Sequence, residues 1–180
     1  MFERTVRQHY RLMKILYVIP LLFVVGTCIT SAQTNSATNI TAHANRPSVY
    51  DESADGSKQI ADALTVAIKE NKRVLVLFGG NACVPCLLFH KLLESDEAIS
   101  SSLKTNFVVV VVDISIRSRN GGQTFTRYKN GIDSIPLIVI LDTDGRRLIS
   151  KNAVDFMEDG HHSPQKVLKF LERWALKGKG

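Results

Sequence analysis

Three uninterrupted apolar runs, residues 74–78 (VLVLF), 107–112 (FVVVVV) and 137–141 (LIVIL), stand out from a chain whose other apolar residues recur mostly at helical spacing. Runs of this length and β-branched content suit strands buried on both faces. Before the first run, Ile60, Leu64, Ala67 and Ile68 fall on one side of a helical pattern over residues 58–72, with Lys58, Asp62, Lys69 and Glu70 on the other. That pattern predicts an amphipathic helix packed on a sheet. After the first run the chain breaks at Gly79-Gly80 and restarts as a helix near Cys83, with Leu87, Leu88, Leu92 and Leu93 as its core contacts. Ala98 and Leu103 extend helical structure past Ser95. Residues 115–123 read as a polar loop, and Phe125 and Tyr128 fit one short helix that Gly131 stops in the left-handed region.

Asp142-Thr143-Asp144-Gly145 is hairpin chemistry, so residues 146–150 should return antiparallel to the third run. Ser163 caps and Pro164 opens a final helix with Val167, Leu168, Leu171 and Trp174 facing inward. The order α β α β α β β α gives an α/β class with a central mixed sheet flanked by helices. Its first strand, helix and second buried strand should form a right-handed parallel crossover. No internal repeat is visible.

Composition changes this picture at the N-terminus. The 180 residues are 44% hydrophobic, enough for one domain with a core, and the net charge is +6. Arg4, Arg7, Arg11 and Lys14 against Glu3 account for half of that charge, and the remainder is too modest to argue for nucleic acid. The basic start, the apolar residues 15–26 and the small residues that follow have the order of a secretory signal. Cleavage is expected after Ala32, with Thr30 three positions back. Two other readings stand beside it: a retained membrane anchor, and a lipoprotein-type site with lipid on Cys28 after Val25-Gly26-Thr27. Each sends the domain out of the cytosol, to the periplasm or cell envelope, where disulfides persist. The expected organisation is a signal over residues 1–32, a flexible Ser/Thr/Asn/Ala-rich linker over 33–57, the domain over 58–176 and a frayed tail over 177–180. Asn39-Ile40-Thr41 matches a glycosylation acceptor by spacing only.

The chemistry concentrates at Cys83-Val84-Pro85-Cys86. A thiol at the start of a helix sits at the positive end of the helix dipole, near unpaired N–H groups, where the thiolate is favoured. The thiolate is the reactive species. Cys86 lies one turn on, close enough to close a disulfide and release a mixed-disulfide intermediate. Pro85 fits the first turn, where its missing N–H costs little. Structural zinc usually needs four ligands and there is no second Cys pair. Haem attachment would need His at Leu87. A copper or zinc site from Cys83, Cys86 and His90 remains open, as does a permanent structural disulfide in an inactive scaffold. His161-His162, in a loop with Asp155, Glu158 and Asp159, could bind metal or respond to pH, and exposed loop polarity explains it as well. Gly121-Gly122 lacks the Lys-Ser/Thr pair of a phosphate cradle.

The CxxC after a buried strand, Ile135-Pro136 before the next central strand and the DTDG hairpin together resemble the thioredoxin superfamily over residues 58–176. FGGNACVPCLLFHKLL followed by FVVVVVDI is similar to exported single-domain thioredoxin-like proteins of bacteria. The resemblance implies a thioredoxin-like fold and a thiol-disulfide oxidoreductase in which Cys83 attacks a substrate disulfide and Cys86 resolves the mixed disulfide. It implies a cis Pro136 facing the CxxC, and a substrate surface of Val84, Pro85, Ile135 and Pro136. Ala82 stands where the family often has Trp, and Leu77 where it often has a buried Asp that helps deprotonate the second thiol. The expected activity is protein-disulfide exchange in the cell envelope by a monomer without cofactor or resident metal. Its expected partners are proteins bearing thiols or disulfides and a membrane redox partner, with no nucleic acid.

Overall fold

The computed structural model describes residues 48–176. The expected signal, the lipid-bearing Cys28, most of the linker and the tail lie outside the described residues. The described chain runs α1 (Gly56–Glu70), β1 (Arg73–Gly79), α2 (Val84–Ser95), α3 (Glu97–Asn106), β2 (Phe107–Asp113), α4 (Gly121–Tyr128), β3 (Leu137–Leu141) and β4 (Arg147–Asn152). A 3₁₀ turn (Ala153–Phe156), a two-residue hairpin of β5 (Met157–Glu158) and β6 (His161–His162), and α5 (Pro164–Trp174) complete it. None of the described helices is long and apolar enough to cross a membrane.

The main sheet has the order β2-β1-β3-β4. β1 and β2 are parallel, from Arg73 opposite Phe107 to Gly79 opposite Asp113. β3 is antiparallel to both β1 and β4, which makes the sheet mixed. Alternation along the strands divides the core in two. Leu75 and Leu77 of β1, with Ile138 and Ile140 of β3, meet Phe89 and Leu93 of α2, Ile99 and Leu103 of α3, and Val167 and Leu171 of α5. Val74, Val76 and Phe78, with Val110 and Val112 of β2, meet Ile60, Ala63 and Ala67 of α1 and Tyr128 of α4. Two covered faces explain why β1 and β3 are continuously apolar.

Several local expectations change. β2 is an edge strand, with Val109 exposed, so its unbroken valine run reflects β propensity more than burial. Ile68 is exposed while Ala63 is buried, because α1 docks on the sheet through the stripe of Ile60, Ala63 and Ala67. Leu88 is likewise exposed, and Phe89 takes the core position instead. Residues 48–57, read from composition as the end of a flexible linker, are packed: Tyr50 is fully buried, and Asp55 caps α1 by accepting from the Ser57 and Lys58 N–H groups. One aromatic residue in a polar stretch gives no periodicity, so nothing in the pattern marked it. The β5–β6 hairpin and the 3₁₀ turn are equally short for a periodic signal.

Candidate redox site at the start of the second helix

The site lies where β1 ends. β1 runs buried through Leu77 and Phe78, and the chain turns at Gly79-Gly80, where the Cys83 N–H donates to the Gly80 carbonyl at 3.0 Å. Cys83 is extended and forms the N-cap of α2, and its Sγ accepts the Cys86 N–H at 3.2 Å. Pro85 falls in the first turn. Cys83 and Cys86 are joined by a disulfide with Cα atoms 5.2 Å apart. The two sulfurs differ in access: Cys83 is half-buried, whereas Cys86 is fully buried against the sheet. On reduction, the Cys86 N–H already aimed at the Cys83 sulfur becomes a charge-assisted donor to a thiolate, added to the field of the helix N-terminus.

Around the disulfide, Ala82, Val84, Pro85 and Leu88 are exposed. The Ile135-Pro136 peptide is cis, Ile135 is half-buried and Pro136 is buried. Because Leu137 pairs with Phe78, Ile135-Pro136 enters the sheet at the same end from which the redox loop leaves it. Cys83, Val84, Pro85 and Cys86 thus follow β1, and Ile135 and Pro136 precede β3, at the same end of the sheet.

His90 is not part of this cluster. Its Nδ1 lies 3.4 Å from a carboxylate oxygen of Glu94, one turn along α2. Its side chain lines a groove of about 470 Å³ with Val66, Leu103, Phe107 and Val109, and neither cysteine borders that groove. Among the described residues no three His, Cys, Asp or Glu side chains are placed to hold a metal. His161 and His162 form β6, and His162 packs edge-on against Phe89 with ring centroids 4.9 Å apart. Burial of that imidazole lowers its pKa below the ordinary histidine value.

Sequence reasoning missed a support beneath the loop. Both ends of the Asn81 carboxamide bind Tyr50: Oδ1 accepts the Tyr50 N–H at 3.0 Å and Nδ2 donates to the Tyr50 carbonyl at 2.8 Å. The Tyr50 ring fills the space beside Gly79, where a Cβ would lie 2.4 Å from its hydroxyl. Asp113, opposite Gly79, is buried, with Oδ1 accepting from the Ser115 N–H and hydroxyl. Burial and the neighbouring Asp113 charge push the Tyr50 hydroxyl pKa well up. Two glycines in a row after a strand were the available signal, since a missing side chain can mean that another residue occupies its place.

A thioredoxin-like domain model matches residues 60–172. No match was found among curated protein sequences. Among solved structures, the chain is similar to a disulphide isomerase from Xylella fastidiosa Temecula1, with 27% identity, a TM-score of 0.58, and coverage of 69% of this chain and 95% of that one. It is also similar to a thioredoxin from Thermus thermophilus, with 23% identity, a TM-score of 0.51, and coverage of 66% and 85%. A third similar structure is the C-terminal domain of DsbD from Neisseria meningitidis in its oxidised form, with 16% identity, a TM-score of 0.52, and coverage of 68% and 97%. The last two bear on the fold alone.

Proposed function

The chain belongs to the thioredoxin-like domain family, and from that premise we propose that it is a thiol-disulfide oxidoreductase acting on protein disulfides through a reversible Cys83–Cys86 bond. The observation that carries this reading is the unequal access of two linked sulfurs at a helix N-terminus. The half-buried Cys83 can meet a substrate while Cys86 waits behind it. The disulphide isomerase from Xylella fastidiosa Temecula1 adds support at 27% identity.

In the reducing direction, the Cys83 thiolate attacks one sulfur of a substrate disulfide, and the other substrate sulfur leaves as a thiolate that takes a proton. Cys86 then loses its proton and attacks the Cys83 sulfur, breaking the mixed disulfide and releasing the second substrate thiol. The substrate gains two electrons and the Cys83–Cys86 pair loses two, so a dithiol donor must restore the pair. The reverse sequence delivers a disulfide. Val84 and Pro85, exposed beside Cys83, and the Ile135-Pro136 segment are the surface on which an extended substrate chain would lie.

The basic and apolar N-terminal residues support export to the cell envelope, where the domain would act on secreted proteins and be recharged by a membrane redox partner. The proposed domain boundaries, a signal through Ala32 and a tail after residue 176, belong to this reading. The deciding experiment is reduction of insulin disulfides by the dithiol-charged protein. Turnover that disappears in Cys83→Ser supports the reading, and turnover equal to that of Cys83→Ser refutes it. Fractionation of cells expressing the full chain tests the location.

A further inference from the structure

β1 carries no acid on the face that packs against α2. Leu75 and Leu77 occupy that face, and both are buried. Two residues beyond Leu77 on the same face comes Gly79, and its partner across the parallel ladder is Asp113. Asp113 is 1% exposed, and its Oδ2 has no hydrogen-bond partner. That oxygen lies 3.4 Å from where a Cβ on Gly80 would stand, and Gly80 is the residue whose carbonyl receives the Cys83 N–H. Tyr50 closes the site from the other side, with 0% exposure and a hydroxyl that also lacks a partner.

Two buried, unpartnered polar groups at one spot are costly. A buried acid beneath a redox loop also has an electrostatic consequence. Opening the disulfide creates a thiolate on the loop whose Gly80 lies against that acid, and two like charges in a poorly solvated place resist each other. We propose that Asp113, kept dry by Tyr50, is the positioning acid that sets the thiol ionisation of the reduced Cys83–Cys86 pair. It comes from β2, because the neighbouring position on β1 is the apolar Leu77. This rests on the thiol chemistry proposed above.

The other groups facing Asp113 are few. Its own loop supplies the Ser115 hydroxyl to Oδ1 and the Ser118 hydroxyl to the Asp113 carbonyl. α4 brings the backbone of Gly121 against the Asp113 carbonyl. The segment before α1 brings Tyr50 and, at the surface, Glu52, whose carboxylate is 3.2 Å from Arg117 and so is balanced. Asp55 accepts from Asn120, with Arg119 nearby. On α2, His90 is turned toward Glu94. Among the described residues no cationic side chain pairs with Asp113, so a charge on it is felt by the thiols.

The sign is fixed: removing the Asp113 charge stabilises the thiolate, so the reactive thiol becomes more acidic and the dithiol form is favoured over the disulfide. Asp113→Asn keeps an oxygen for the Ser115 donors, so the loop retains its bonds. Tyr50→Phe removes only the hydroxyl dipole beside the carboxylate, and should shift the thiol the same way by less. The experiment uses the full chain carrying Cys28→Ser, reduced with dithiothreitol. The thiolate absorbance at 240 nm is followed against pH, and the disulfide fraction is measured in glutathione buffers.

The expected result is an increase of about tenfold in the acid ionisation constant for Asp113→Asn, with a matching shift of the glutathione equilibrium toward the dithiol. A smaller shift of the same sign is expected for Tyr50→Phe. If both variants titrate indistinguishably from the parent, or shift toward a less acidic thiol, the proposal is overturned. Should Asp113→Asn fail to fold, Tyr50→Phe decides the outcome by itself. The titration does not depend on turnover, so loss of insulin reduction in the parent would sink the enzymatic reading and leave this result interpretable.

Discussion

Asn81 grips Tyr50 by both ends of its carboxamide, across 31 residues of sequence, and so ties the segment that enters the domain to the loop that carries the disulfide. A pair of bonds to one residue's N–H and carbonyl imitates one rung of a β ladder. Asn81→Ala should therefore cost about 1–3 kcal/mol, since the Tyr50 N–H loses its acceptor while the carbonyl keeps only the Ser48 hydroxyl. Urea unfolding of the oxidised protein, with unchanged m and a lower midpoint, is the expected outcome.

Gly79→Ala should be destabilising out of proportion to one methyl group. The new Cβ would meet the Tyr50 hydroxyl at 2.4 Å and ring carbons at 2.6 and 2.9 Å, and the ring is locked in the core. Overpacking of this kind costs about 1–3 kcal/mol. In a Tyr50→Ala background the same substitution should cost much less, and the double-mutant cycle measured by denaturation reads the difference. Additive effects would mean that Tyr50 and Gly79 do not share the space.

Cys86→Ser should convert the protein into a trap. Cys83 can still attack, but the mixed disulfide has no internal thiol to resolve it, so a covalent adduct with a disulfide peptide should accumulate and be visible by mass spectrometry under non-reducing conditions. Cys83→Ser should give no adduct, because the remaining Cys86 is fully buried. Equal adducts from both variants would contradict the assignment of roles.

His162 predicts a small acid sensitivity. Burial against Phe89 holds its folded-state pKa below the ordinary value of 6.5, so the unfolded chain takes up a proton more readily. Its contribution to stability is complete above pH about 6.5 and is lost as pH falls from there through the lower folded value. His162→Gln should flatten that part of the stability profile, as read by denaturation midpoints between pH 7 and 5, and a proton NMR titration should place the imidazole below an exposed histidine.

The sequence by itself determined the elements that have length and period. The runs at residues 74–78, 107–112 and 137–141 became β1, β2 and β3, the first and third because a short apolar run buries itself best in a central strand and the second through the β propensity of its valines. The DTDG turn, the Ser163-Pro164 helix start and the helix restart at Cys83 were legible for a similar reason: each is local chemistry in which neighbouring residues satisfy one another's backbone. The cis peptide at Pro136 was implied by the resemblance, and local preference would not have predicted it.

Only the tertiary structure decided which residues meet across distance. Periodicity names an apolar stripe but not the angle at which it docks, so Phe89 and Leu88 exchanged places, and Ile68 turned to solvent. The strand order made β2 an edge, which no property of its own valines reveals. Most of all, Tyr50, Asn81 and Asp113 come from three separate segments, each unremarkable alone, and acquire meaning because the parallel register sets Asp113 against Gly79 and leaves a gap that a tyrosine fills. A sequence encodes its local choices residue by residue, whereas the surroundings of a buried charge are a property of the packed whole.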